Sequence, residues 1–204
     1  MRCNDGYRVL GIDPGTNYMG YGVIEIRGSK PHSVVMGVVD LHRLNDPYQK
    51  LSEIFKRLGV VIDEYGIDEM ALESPFFGEN VQSMLKLGRA QGVAMSAALS
   101  RGIDVFEYAP TKVKQSVAGN GSVSKESLAR IIATTLKINI GNERLDATDA
   151  MAVALCHFYT ITNPLNGHFS GVKSKGLGGS RVELSRKGSS SWEQFAKSNP
   201  KRIK

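Results

Sequence analysis

Residues 7–16 read YRVLGIDPGT, a short apolar run that ends at Asp13-Pro14-Gly15. The apolar run predicts a β-strand, and Asp-Pro-Gly is a turn sequence, because proline presets its own backbone angle and glycine accepts angles that other residues avoid. In small α/β sheets, ligands bind at the carboxyl ends of strands. The stretch therefore predicts that Asp13 ends a buried strand at a position that a ligand can reach.

The rest of the chain alternates between the periodicities of strands and of amphipathic helices. Further strands are predicted at residues 20–26, 33–41, 69–73 and 104–109, and helices at 51–65, 81–100, 124–136 and 145–161. The first three strands have short connections, which favours an antiparallel meander, whereas the fourth follows a helix and is expected to run parallel to the first. We therefore expect an α/β fold with a five-stranded mixed sheet flanked by helices.

Length and composition favour one folded domain followed by a tail. The chain has 204 residues, 41% of them hydrophobic, which is enough for one good core. Residues 1–165 hold all the predicted elements, whereas residues 166–204 are dominated by Gly, Ser and Lys. We expect residues 166–204 to form a flexible basic tail, because their apolar residues are too few for a second core.

The distribution of charge indicates a polyanionic partner. The formal net charge is +6, and residues 166–204 alone carry nine Lys or Arg against two acidic residues. Residues 1–85 carry eight basic and twelve acidic residues, while residues 86–137 carry eight basic and three acidic ones. The expected domain is thus acidic in residues 1–85 and basic in residues 86–137, although ordinary solvated faces would account for the same counts.

Cysteine usage and hydropathy indicate a reduced, cytoplasmic setting. Cys3 and Cys156 are far apart and match no metal or redox motif, and Cys156 is expected to pack as a small apolar residue. No stretch reaches the roughly 18 apolar residues of a membrane span, and the first residues lack the apolar run of a signal peptide. We expect a soluble, cytoplasmic protein that does not bind membranes.

Four carboxylates from three segments are the candidate catalytic residues. Asp13 and Glu73 end two predicted strands, while Asp146 and Asp149 are three residues apart and project from one face of the last helix. Carboxylates that face each other resist double ionisation unless a cation lies between them, and oxygen-only sites suit Mg²⁺ or Mn²⁺. The set predicts phosphodiester hydrolysis with two ions, one forming hydroxide from water and one stabilising the leaving oxygen.

Each acid also has a purely structural interpretation. Asp13 can serve as a turn residue, Glu73 as a solvated strand end, and Asp146 as a helix N-cap. The joint placement of the acids beside a basic segment favours the functional interpretation.

Five motifs within residues 9–158 also resemble a known family. They are LGIDPGT (10–16), GYGVI (20–24), LGRAQG (87–92), VFEYA (105–109) and DATDA (146–150). In this ordered series the chain resembles the RuvC family, bacterial resolvases that cut Holliday junctions. The resemblance implies a ribonuclease-H-like fold, with Asp13, Glu73, Asp146 and Asp149 as the metal-binding catalytic acids. It also implies a homodimer that nicks two opposing strands of four-way junction DNA symmetrically, with the branch-migration proteins RuvA and RuvB as partners.

Six residues are candidates for contacting DNA. They are Phe76, Phe77, Lys86, Arg89, Lys114 and Lys125. The resemblance matches Lys114 and Lys125 to basic residues near the scissile DNA, and Phe76 to an aromatic used against junction bases. At least one of two adjacent aromatics in a Pro- and Gly-flanked loop is available for stacking, although core packing remains open for Phe77. Lys86 and Arg89 share a helix face and are expected to follow backbone phosphates, although solvated side chains are the alternative.

Two features lie outside these motifs. The basic tail is not part of the resemblance, and it either adds salt-sensitive DNA affinity or simply keeps the chain soluble. Gly88, Gly92 and Ser96 form a stripe of small residues on the helix at 81–100, which permits close helix packing, including packing between subunits.

Two other functions compete with a nuclease. Residues 11–16 also resemble the first phosphate loop of actin-like ATPases and sugar kinases, which use two copies of a related domain to enclose nucleotide. The present chain is too short for two such domains and has no evident second phosphate loop. The other alternative, a non-catalytic junction-binding protein on the same fold, is disfavoured because all four acids are present.

Overall fold

The computed structural model describes residues 6–74, 80–139 and 145–163. These residues form five strands and five helices. In chain order they are β1 (Tyr7–Asp13), β2 (Tyr18–Arg27), β3 (Lys30–Asp40), α1 (Pro47–Tyr65), β4 (Glu69–Glu73), α2 (Val81–Leu99), β5 (Asp104–Tyr108), α3 (Pro110–Ala118), α4 (Lys125–Leu136) and α5 (Leu145–Thr162).

The strands form one mixed sheet in the order β3-β2-β1-β4-β5. The pairs β1–β2 and β2–β3 are antiparallel, while β1–β4 and β4–β5 are parallel, so the expected five-stranded mixed sheet is confirmed. Because β1 and β4 are parallel neighbours, Asp13 and Glu73 end at the same edge of the sheet. In the register Asp13 lies opposite Gly20, and Glu73 lies opposite Tyr108.

Helices cover both faces of the sheet, with a separate apolar cluster on each face. On one face α1 and α2 pack against side chains such as Leu10 and Ile12, both fully buried. On the other face α3, α4 and α5 pack around Val9 and Ile24. The alternation of Val9 with Leu10 between the two faces follows the two-residue period of a strand. Within the described residues, no helix is both long and apolar enough to cross a membrane.

The backbone of α5 lies directly against β1 and β2 because the facing strand residues are glycines. A Cβ atom on Gly11 would overlap the carbonyl oxygen of Ala150, and one on Gly20 would lie 2.5 Å from the carbonyl carbon of Asp146. Real Cβ atoms essentially never approach closer than 3.0 Å. These glycines therefore allow the first turns of α5, with its two aspartates, to lie beside the end of β1.

The structure corrects two parts of the sequence prediction. It contains α3, which was not predicted, so three helices rather than two follow β5. The helix is only nine residues long and buries only Val113 fully, so it has no extended apolar periodicity. The signals that could have identified it are Pro110 in its first turn and Gly119 after its end, both common at helix boundaries. The strands β2 and β3 also begin earlier than predicted, at Tyr18 and Lys30. The predicted tail lies outside the described residues.

Candidate active site

The predicted acids meet at the edge of the sheet formed by the carboxyl ends of β1 and β4. Asp13 ends β1, Glu73 ends β4, and α5 brings Asp146 and Asp149 to the same edge in its first two turns. Beside Asp13 and Glu73 is a cavity of about 220 Å³, the active-site cavity. Among the described residues, those that line it are Asp13, Pro14, Glu73, Ser74, Leu87, Gln91 and Pro110.

Asp13 has the most perturbed carboxyl group of the site. Its pKa is raised to about 8, first by burial and then by the neighbouring carboxylates of Asp149, Glu73 and Asp146, while the ammonium of Lys125 lowers it. A buried carboxyl that faces three other acids resists ionisation unless positive charge is supplied. The electrostatics therefore place Glu73, Asp146 and Asp149 within interaction range of Asp13.

Glu73 experiences the same environment. Its pKa is raised, first by burial and then by the negative charge of Asp149, whereas Lys125 and Lys114 lower it. The environment thus favours the protonated forms of both strand-end acids. Among the described residues, Lys114 and Lys125 supply positive charge that opposes this effect.

Asp149 and Asp146 differ in their surroundings. Asp149 is only 8% exposed, and its Oδ2 accepts a hydrogen bond from Lys125 Nζ at 2.5 Å. Lys125 begins α4, and the hydroxyl of Ser124 caps that helix by accepting from the backbone N–H of Ser127. Asp146 is half-buried in the first turn of α5. The contact with Lys125 joins Asp149 to the first turn of α4.

The donor chemistry of the site fits a hard divalent cation. All four acids offer oxygen, the ligand that Mg²⁺ and Mn²⁺ prefer. In the described part of the chain, no group of three or more His, Cys, Asp or Glu side chains is already arranged around an ion position. The mutual repulsion that raises the pKa of Asp13 is nevertheless the repulsion that a bound cation would relieve.

The turn after Asp13 is held by a lysine that the sequence analysis did not identify. Lys50, in α1, donates from Nζ to the carbonyl oxygen of Thr16 at 3.1 Å and to Oδ1 of Asn17 at 2.9 Å. The backbone N–H of Leu41 also donates to the carbonyl of Asn17. These bonds tie the turn to α1 and to the end of β3, which restrains the backbone next to Asp13.

A buried polar chain links α5 to β4 and β5. The ring of His157 is fully buried, with Nδ1 2.7 Å from the Tyr108 hydroxyl and Nε2 2.6 Å from Glu69 Oε2. An ionised Glu69 can only accept, so Nε2 carries the proton and Nδ1 accepts from Tyr108. Tyr108 lies opposite Glu73 in the sheet, so this chain fixes α5 relative to the strand that carries a candidate catalytic acid. The sequence did not predict this buried chain, because a single histidine in an apolar helix does not indicate a hydrogen-bonding partner.

The candidate DNA-binding residues fall into three groups. Lys114 and Lys125 lie near the acids, and both ammonium groups lower the pKa of Glu73. Lys86 and Arg89 are exposed on α2. Phe76 and Phe77 lie outside the described residues.

A mixed sheet of this topology, packed against a helix with two aspartates and carrying acids at the ends of its first and fourth strands, defines a ribonuclease-H-like nuclease. The family described as Crossover junction endodeoxyribonuclease RuvC matches residues 9–157. The chain belongs to this family, and the expected resemblance is confirmed.

Relatives and solved structures agree with this assignment. The protein named Crossover junction endodeoxyribonuclease RuvC from Cytophaga hutchinsonii is 46% identical over 196 residues, covering 96% of this chain and 88% of that protein. The protein of the same name from Bacteroides fragilis is 44% identical over 200 residues, covering 96% of this chain and 95% of that protein. The structure of Thermus thermophilus RuvC in complex with Holliday junction substrate has a TM-score of 0.70 at 30% identity, covering 76% of this chain and 94% of that one. The yeast mitochondrial Holliday junction resolvase, with a TM-score of 0.57 at 12% identity, shares the fold.

Proposed function

We propose that this chain resolves Holliday junctions by cutting two opposing strands symmetrically, using Asp13, Glu73, Asp146 and Asp149 as the catalytic, metal-binding acids. The observation that supports it is the meeting of four acids and two lysines at one edge of the sheet, where the acids raise the pKa of Asp13. The identity of the ion, Mg²⁺ with Mn²⁺ as a substitute, and a count of two ions per site are parts of the same proposal.

The acids and lysines would divide the work by their positions. Bound divalent ions supply activation of water and neutralisation of charge on the scissile phosphate. Asp13 and Glu73 would hold them from the two strand ends, with Asp149 and Asp146 closing the site from α5. Lys125 and Lys114 would contact phosphate oxygens, and Lys125 has the N-terminus of α4 beside it to assist.

Further DNA contacts belong to the same proposal. Lys86 and Arg89 are exposed one turn apart on α2, where they can follow the backbone of an arm. Phe76 and Phe77, in the segment that directly follows Glu73, would stack on unpaired junction bases, an assignment that rests on the family.

We also propose that the active form is a homodimer, because paired nicks need two sites. The exposed face of α2 carries three large apolar residues, with Val81 65%, Leu85 52% and Leu99 48% exposed. Along the same helix a Cβ on Gly88 or Gly92 would meet no atom within 4 Å, so a second helix can approach there. RuvA and RuvB as partners, and a cytoplasmic location, are proposed on family membership.

Cleavage of a synthetic four-way junction tests the nuclease proposal. With Mg²⁺ the protein should nick opposing strands, while Asp13→Asn and Glu73→Gln should bind the junction without cutting it. Asp104→Asn is the matched control, because Asp104 is exposed and begins β5 at the opposite edge of the sheet. Junction binding without nicks in Mg²⁺ or Mn²⁺ would support the non-catalytic alternative, and normal cutting by Asp13→Asn would refute the assigned site.

Sedimentation tests the dimer. Leu85→Glu should shift the protein from dimer to monomer at micromolar concentration without lowering its free energy of unfolding, because Leu85 is half exposed in the single chain. Val60→Glu, at an equally exposed position of α1, is the control. A wild-type monomer that still makes paired nicks would contradict the proposal.

A further inference from the structure

The middle of α2 places a buried amide in the wall of the active-site cavity. Gln91 is only 5% exposed, yet it lines the cavity together with Asp13 and Glu73. It is neutral, so it adds nothing to the charge that holds cations or phosphates. A buried polar side chain at such a place calls for a hydrogen-bonding role.

The orientation of this amide is set by a neighbour on β5. Nε2 of Gln91 donates to Oε1 of Glu107 at 2.8 Å. An ionised carboxylate can only accept, so the amide nitrogen must face Glu107 and the carbonyl oxygen must face away from it. Glu107 takes one of the two amide hydrogens, which leaves Gln91 with one donor and one acceptor side by side.

The carbonyl oxygen of Gln91 is reachable from the cavity. Among the described residues Gln91 makes only its bond to Glu107, and every fully buried side-chain nitrogen or oxygen has a partner. The oxygen is therefore not sealed in the protein interior. Because Gln91 is buried except where it lines the cavity, we infer that the oxygen faces that cavity.

The other described residues that line the cavity suit an aromatic ring with a polar edge. Pro14, Leu87 and Pro110 contribute apolar surface, while Ser74 contributes a hydroxyl. A hydrated cation gains nothing from apolar walls, whereas a nucleobase has two apolar faces and an edge of donors and acceptors. A volume of about 220 Å³ is large enough for one base.

We propose that the active-site cavity is a subsite for a nucleobase next to the scissile phosphate, and that Gln91 sets the sequence preference of cleavage by hydrogen bonding to the edge of that base. This inference rests on the proposed function. Contacts to phosphates, such as those assigned to Lys114 and Lys125, carry no sequence information, whereas an amide that presents a donor and an acceptor can distinguish base edges. Glu107 acts as a positioning residue that keeps the amide from rotating.

A library of four-way junctions in which the two nucleotides flanking the scissile phosphate are randomised tests the proposal. Gln91→Met keeps the length of the side chain and removes its hydrogen bonds, and Gln82→Met is the matched control at an exposed position of the same helix. We expect Gln91→Met to reduce discrimination at one flanking position by between about 5-fold and 150-fold, with unchanged junction affinity. Gln82→Met should cut with the wild-type preference.

Glu107→Gln provides a second variant, at an exposed position where folding is not at risk. A glutamine at 107 can donate as well as accept, so the amide of Gln91 is free to reverse, and the preferred base should change or weaken. Equal cutting of all sequences by the wild type, a wild-type profile in Gln91→Met, or a uniform loss of rate at every sequence would each overturn the base subsite. A wild-type protein that cuts no junction at all would instead refute the proposed function.

Discussion

Asp13→Asn is expected to abolish cleavage and at the same time to stabilise the metal-free protein at pH 8. In the folded protein, burial and three neighbouring acids raise the pKa of Asp13 from 3.8 to about 8. In the unfolded chain the carboxyl returns to its ordinary value. Between these two pKa values the folded state holds a proton that the unfolded state has released, so folding is progressively penalised as the pH rises.

The sign and size follow from that difference. The contribution of a raised pKa is fully present below about pH 4 and is lost as the pH rises through about 8, after which it is constant. A pKa difference of about four sets an upper limit of roughly 5 to 6 kcal/mol. Water entry and relaxation of the neighbouring acids reduce this, so we expect the wild type to lose about 2 to 4 kcal/mol relative to Asp13→Asn between pH 5 and pH 9.

Urea denaturation in EDTA at pH 5, 6, 7, 8 and 9 measures this directly. The quantity to compare is the difference in the free energy of unfolding between Asp13→Asn and the wild type, because groups common to both proteins cancel. Asp104→Asn should follow the wild type at every pH, since Asp104 is exposed at the other edge of the sheet. Adding Mg²⁺ at pH 8 should stabilise the wild type more than Asp13→Asn. A difference that does not change with pH would refute the electrostatic argument.

Three further substitutions probe the supports of the site. Gly20→Ala places a Cβ 2.5 Å from the carbonyl carbon of Asp146, so α5 must move. We expect a loss of about 1 to 3 kcal/mol in the free energy of unfolding and a decrease of about 100-fold in the cleavage rate. Gly121→Ala, which would make only ordinary contacts, should retain the wild-type stability and rate. Lys125→Met should lower the rate of junction cleavage and raise the pKa of Asp13 further, seen as a steeper loss of metal-free stability between pH 6 and 9, and an unchanged pH dependence would count against it. His157→Leu leaves the Tyr108 hydroxyl without its ring partner in the core, and we expect urea denaturation to report a loss of about 2 to 4 kcal/mol; wild-type stability would show that the buried chain contributes nothing.

Local patterns in the sequence predicted the strands and long helices because each has an extended period. The apolar run in residues 7–13 matched β1, and the spacing of apolar residues in 51–65 identified α1, which begins four residues earlier, at Pro47. The short helix α3 was not predicted, because nine residues with one fully buried side chain carry too little periodicity to distinguish a helix from a loop. The four acids were singled out by their positions at strand ends and at the start of a helix.

What the sequence determined by itself was therefore the class of fold and the family, together with a predicted set of acids, since these depend on residue types and local spacing. Tertiary structure alone decided how those residues meet. The closeness of α5 to β1 depends on Gly11 and Gly20, which face the backbone of that helix. These contacts form only when β1 and β2 pair in the observed register and α5 packs across them. The ion pair of Lys125 with Asp149 and the contact of Gln91 with Glu107 join residues 24 and 16 positions apart. No local period encodes such contacts, because they arise only when separate elements pack against the same edge of the sheet.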